Sequence, residues 1–192
     1  MNEIIKHGIS TKKELKKRIK DLCLFQVQKN GLHLQKIINQ TEKICIEAIK
    51  QNWLAILYVK NKTYKICKTA VQLNGIAIYC IHYLRFHPNP SINNKIMYNL
   101  FKIAVQTNGY ALEYIDEQTD ELCCFAILED SYSLQFVKNK TYDLCKLAVG
   151  LNGRALQYVD NQTKELCDIA IKNNNRAVQF VQPHLMEHYI NI

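Results

Sequence analysis

Residues 141–162 read T-Y-D-L-C-K-L-A-V-G-L-N-G-R-A-L-Q-Y-V-D-N-Q, and Thr163 opens a second copy at once. Leu144-Cys145 returns as Leu166-Cys167, Ala148-Val149 as Ala170-Ile171, and Tyr158-Val159 as Phe180-Val181, each 22 residues on. A fixed period of this size marks a stacked repeat protein, in which each unit buries its apolar face against its neighbours. Outward from this stretch, seven copies start at Ile19, Thr41, Thr63, Met97, Thr119, Thr141 and Thr163, with one 12-residue insertion between the third and fourth.

The spacing inside a copy decides the element type. In the first half the apolar positions are those of Ile44, Cys45, Ala48 and Ile49, or of Leu122, Cys123, Ala126 and Ile127. Offsets of one, four and five residues draw one helical stripe and no strand alternation. In the second half Ala111, Leu112, Tyr114 and Ile115 show offsets of one, three and four, again a helix. Between the halves stands Asn-Gly at 30–31, 74–75, 108–109 and 152–153, where a left-handed glycine is expected to end the first helix. Asn52-Trp53, Asp130-Ser131 and Asn174-Asn175 are variants of the same turn. The Thr that opens most copies is the expected N-cap. Each copy therefore reads as two short helices, of about ten and about eight residues, too short to persist alone in water.

The expected fold is all-α: an α-solenoid of about seven two-helix, 22-residue repeats with a protruding loop near residues 84–95. A leucine-rich repeat has a similar period, but its pattern needs apolar residues where this chain has Arg154, Arg176, Glu47 and Thr69. Residues 1–18 read as a basic N-terminal capping segment, 19–182 as the repeat array and 183–192 as a C-terminal cap. Thr11 and Glu14 fit a capping box, so a helix is expected from about Lys12, with Leu15, Ile19, Leu22 and Cys23 on one face. Pro183 stops the last copy, after which Leu185, Met186, His188, Tyr189 and Ile190 are expected to close the stack.

Charge is divided along the chain. Residues 1–102 carry net +13 and residues 103–192 net −5. No apolar run approaches the roughly 18 residues that span a bilayer, and no secretory leader is apparent, so a soluble, cytoplasmic protein with no membrane partner is expected. Its eight cysteines are then expected as reduced thiols.

Little of the sequence points to chemistry. Equivalent residues of stacked copies lie roughly 8–10 Å apart, too far for the cysteine ladder (Cys23, Cys45, Cys67, Cys123, Cys145, Cys167) to form disulfides or zinc sites. The fourth copy has Phe101 in that place, as suits a core position. His184 and His188 have a chelating spacing but no accompanying carboxylate motif. No phosphate-binding loop or nucleophile elbow is present, and no catalytic residue, metal or cofactor is expected. The candidate interaction surface is drawn from residues that vary between copies, from the basic half and from the insertion: Lys43, Lys50, Tyr64, Lys65, Lys68, Phe86, His87, Tyr98 and Tyr142.

The run N-Q-T-x-x-L-C-x-x-A-[VI]-x-x-N-G-x-A-L-x-[YF]-V, nearly intact at 117–137, 139–159 and 161–181, resembles the short repeat of a domain-of-unknown-function family expanded in mimivirus-like giant viruses of amoebae and seen in some bacteria. The likeness covers about residues 19–182; the insertion departs from it, as does the first copy, with Gln26, His33 and Lys36 where Ala, Ala and Tyr are usual. It implies helical repeats and a viral protein of the host cytoplasm or the virion, and carries no activity. The functional expectation is a non-enzymatic scaffold that binds an unidentified protein. Self-association of oppositely charged halves comes next, and nucleic-acid binding through Lys43, Lys50, Lys60, Lys62, Lys65 and Lys68, with Trp53 or Tyr64 stacking on bases, comes third.

Overall fold

The computed structural model describes residues 2–82 and 93–189, and side chains from Thr11 onward. The described residues are helical with no strand, which removes the leucine-rich-repeat alternative. The first half of a copy is an α-helix: α1 (Asn2–Lys29), α2 (Glu42–Gln51), α3 (Tyr64–Leu73), α5 (Asn94–Thr107), α6 (Asp120–Glu129), α7 (Tyr142–Leu151) and α8 (Lys164–Asn173). The second half is not the expected α-helix of about eight residues. It is a six-residue 3-10 helix: η1 (Gly31–Lys36), η2 (Trp53–Tyr58), η3 (Gly109–Tyr114), η4 (Ser131–Phe136), η5 (Gly153–Tyr158) and η6 (Asn175–Phe180). Only the third copy closes on an α-helix, α4 (Ala77–His82).

The residue between the halves serves both helices. Asn52 is extended, φ −152° and ψ 113°; its backbone N–H closes α2 on Ala48, and its side chain accepts the Leu54 N–H at 3.0 Å to open η2. Asn30, Asn74, Asn108, Asp130, Asn152 and Asn174 accept the N–H two residues ahead in the same way. One short side chain thus ends one helix and begins the next. The left-handed glycine expected here is absent: no described glycine has positive φ. Glycine serves close approach instead. A Cβ on Gly31 would lie 2.2 Å from the Ala48 carbonyl oxygen of the next copy, and one on Gly153 would lie 2.0 Å from that of Ala170.

Thr41, Thr63, Thr119, Thr141 and Thr163 cap their helices as the sequence indicates. In the fourth copy Asn93 takes that role, so α5 starts at Asn94 and not at Met97, and the insertion ends earlier than expected. The rest of it, with Phe86 and His87, lies outside the described residues. No helix starts at Lys12, because α1 already runs from Asn2 through Thr11; no proline precedes Thr11 to stop a helix.

Each element packs on its counterpart in the adjoining copy: α1 on α2, α2 on α3, α3 on α5, and so on to α7 on α8, with η1 on η2 and η5 on η6. The core is a row of repeated positions, among them Ile44, Ile66, Leu100, Leu122, Leu144 and Leu166. At the C-terminal end a last 3-10 helix, η7 (Pro183–His188), brings Tyr189 into a buried place on α8, where its hydroxyl donates to Asp168 at 2.7 Å. Ile190 lies outside the described residues.

Candidate functional site

The polar side chains between copies are mostly engaged in joining them. Before the capping Thr stands Gln40, Gln118 or Gln162, and each spans a junction. The Gln162 amide donates to Leu156 O at 3.2 Å in its own copy and to Phe180 O at 2.8 Å in the next, while its oxygen accepts the Gln182 N–H at 2.8 Å. Gln40 and Gln118 repeat the pattern with Tyr58, Lys60, Phe136 and Lys138. The sequence marks the Thr as a cap but does not by itself assign this role to the residue before it. Its signal was the strict place of Gln or Lys before Thr. At Lys62 and Lys140 the lysine fills the place: Lys62 donates to Val59 O at 3.0 Å and burial lowers its pKa, and Lys140 pairs with Asp160 at 2.9 Å.

The expected interaction residues sit on the outer sides of the α-helices, and several are tied to the neighbouring copy. Lys65 pairs with Glu42 at 3.3 Å. Tyr98 donates to Glu121 at 2.6 Å, and that carboxylate also takes Lys102 at 2.7 Å. Tyr142 bonds Glu165, whose pKa is lowered by this phenol and by Lys146 at 2.9 Å. Lys50 pairs within its own helix to Glu47 at 3.0 Å; Lys43 is exposed, while Tyr64 and Lys68 are half-buried. Tyr98 and Tyr142 line two separate inter-copy grooves, so the set forms rungs along the row and not one pocket. Trp53 is half-buried against the core.

The thiols are packed away. Cys45, Cys67, Cys123, Cys145 and Cys167 are buried, and burial pushes Cys45 and Cys123 up to about 11 and Cys67 up to about 12. At neutral pH such sulfurs are protonated and poor nucleophiles. His184 and His188 are exposed on η7, and no metal-holding group of three or more ligand side chains occurs among the described residues. Ser133, fully buried where every other copy but the first has Ala, has an Oγ without a hydrogen-bond partner among the described residues.

One surface differs in kind. Leu22 occupies the place of Ile44, Ile66, Leu100, Leu122, Leu144 and Leu166, each at most 2 % exposed, yet Leu22 is 57 % exposed. Leu15, Ile19 and Phe25 continue the exposed row along α1. Beside it runs a groove of about 550 Å³ between α1 and the η1–α2 connection, floored by Cys23, Ile37 and Ile44 and edged by Ile38, Lys16, Lys20 and Lys36. The spacing of Leu15, Ile19 and Leu22 drew this face correctly, but it does not face the core. The hints were Gln26, His33 and Lys36, the off-pattern residues of the first copy.

No family model, no curated protein and no solved structure matches the chain. No helix among the described residues is long and apolar enough to cross a membrane.

Proposed function

We propose that the chain is a non-enzymatic α-solenoid that holds another protein at the N-terminal end of its stack. The solenoid reading is supported by packing that passes from each copy to the next, and by rungs such as Gln162 and Lys140 that reach into the following copy. The binding reading is carried by Leu22: a position that six other copies bury is left open in the first. Contiguous exposed apolar surface of this kind marks an interaction site. The likeness of the 22-residue unit to giant-virus repeats fits a viral protein working in host cytoplasm or carried in the virion.

Nucleic-acid binding ranks lower, since Lys50, Lys60, Lys62 and Lys65 each already contact a carboxylate or a carbonyl. A photo-crosslinking side chain at position 22, with position 151 on exposed Leu151 as control, tests the scaffold reading in extracts of the cells that make the protein. A discrete protein adduct formed from position 22 alone is expected. Identical adducts from both positions, or none from either, would contradict it.

A further inference from the structure

We infer that an acidic amphipathic helix of a partner protein covers the exposed stripe of α1 together with the groove beside it, the two meeting at Ile19, an assignment that rests on the scaffold reading above and gives the partner its chemistry. Shape comes first. Leu15, Ile19, Leu22 and Phe25 follow one another at four, three and three residues, so they form one stripe along α1. The stripe is about 15 Å long at 1.5 Å per residue, which matches a ligand helix of about three turns. The first-copy place of Leu22 is one that a helix of an adjoining copy covers elsewhere in the stack. A helix is therefore the element that completes the local packing.

Charge then selects which helix. The groove is edged by Lys16, Lys20 and Lys36, and Lys12, Lys13, Lys17 and Arg18 lie on the same segment, against Glu14 and Asp21. Among the described residues no ion pair engages Lys16, Lys20 or Lys36, whereas Lys65, Lys102, Lys140 and Lys146 all have carboxylates in adjoining copies. A ligand with Asp and Glu flanking an apolar face supplies what the inner junctions already have. The same charge disfavours the two arrangements open to a second copy. Two α1 helices face to face would oppose lysine to lysine. A head-to-tail contact would have to displace η7, whose Tyr189 is buried on α8 and bonded to Asp168. Helix-in-groove docking with apolar anchors and a charged rim is an established mode of recognition, and long-range attraction of opposite charge speeds it.

The test uses the full chain and three fluorescein-labelled helical peptides of one apolar pattern, with flanks of Glu, of Gln or of Lys, read by anisotropy at about 0.05 and 0.5 M salt. The Glu peptide is expected to bind best and to weaken at high salt. Leu22→Asp, on an exposed side chain that leaves the fold intact by circular dichroism, is expected to weaken it by about ten- to a hundredfold. The combined variant Lys16→Glu, Lys20→Glu, Lys36→Glu is expected to reverse the order of the Glu and Lys peptides. Equal affinity for all three peptides, lost in Leu22→Asp, would overturn the acidic assignment and leave the scaffold reading standing. A chain that ignores the peptides but dimerises in sedimentation, and stops doing so in Leu22→Asp, would replace the partner by a second copy. Binding of single-stranded RNA that depends on the three lysines and not on Leu22 would overturn both readings, as would binding of nothing at all.

Discussion

Leu22 and Leu166 hold the same place in the first and last copies, in the same Leu-Cys pair, and differ from 57 % to 1 % exposure. Their own units are built alike, each an α-helix followed by a 3-10 helix. The difference lies in what stands beside them: α8 packs on α7 of the preceding copy, while among the described residues the elements packed on α1 are α2 and η1. An α-helix in this fold packs both on the second helix of its own copy and on the α-helices of adjoining copies, and Leu22 lacks the cover that its equivalents have. The C-terminal end escapes by folding η7 back, with Tyr189 buried.

The sharpest way to break the comparison is to shorten both leucines. Leu166→Ala is expected to cost about 2–5 kcal/mol in denaturant unfolding, the range for a fully buried leucine, and Leu22→Ala less than about 1 kcal/mol. Equal costs would mean that α1 is covered in solution. Glycine offers the next contrast. Gly153→Ala drives a Cβ into the Ala170 carbonyl and is expected to cost about 2–3 kcal/mol, whereas nothing lies within 4 Å of a Cβ on Gly150 in α7, so Gly150→Ala is expected to stabilise by about 0.5–1 kcal/mol. Gln162→Ala removes the side chain that bonds the Phe180 carbonyl and the Gln182 N–H at the last junction, while Leu156 O keeps the Val159 N–H, and a loss of about 2 kcal/mol is expected from the same unfolding curves.

The smallest effect is at the C-terminal closure and depends on pH. Asp168 has a lowered pKa, chiefly through Lys164 and then Tyr189, so its contribution is present above the unfolded carboxylate value and lost as pH falls through the lower folded value. Tyr189 has a raised pKa, chiefly from burial and then from Asp168, so its contribution is present below the unfolded phenol value and lost as pH rises through the higher folded one. Because Asp168 is about half exposed, Tyr189→Phe is expected to cost only about 0.5–1 kcal/mol at pH 7, and the difference is expected to vanish near pH 2. A cost unchanged at low pH would assign it to the hydroxyl's other acceptor, Lys164 O at 3.3 Å, and not to the carboxylate.

What was legible in the sequence was local. Thr caps and the Leu-Cys-Ala-Val stripe lie within one helix, so their spacing reports them directly. In the second half, offsets of one, three and four at Ala111, Leu112, Tyr114 and Ile115 fit a 3-10 turn as well as an α turn, and the capping residue does not separate them, since Asn74 is used as Asn108 is and precedes the α-helix α4. Gly153 was read as a conformational need when it meets a steric one, and that depends on Ala170, 17 residues away. For the same reason the sequence shows Tyr98 and Tyr142 only as positions that vary between copies: their carboxylates, Glu121 and Glu165, lie in the following copy. The open face of α1 was the least legible feature, since Leu22 belongs to the same pattern as its buried equivalents.

Native-state hydrogen exchange on the full chain tests most directly whether copies are held up by their neighbours. The expected result is a graded pattern: amides of α1 up to Leu22 open with the smallest free energy, those of α2 with more, and those of α6 and α7 with the most. A single opening free energy shared by α1, α3 and α7, with one common denaturant dependence, would show one undivided core and contradict the account.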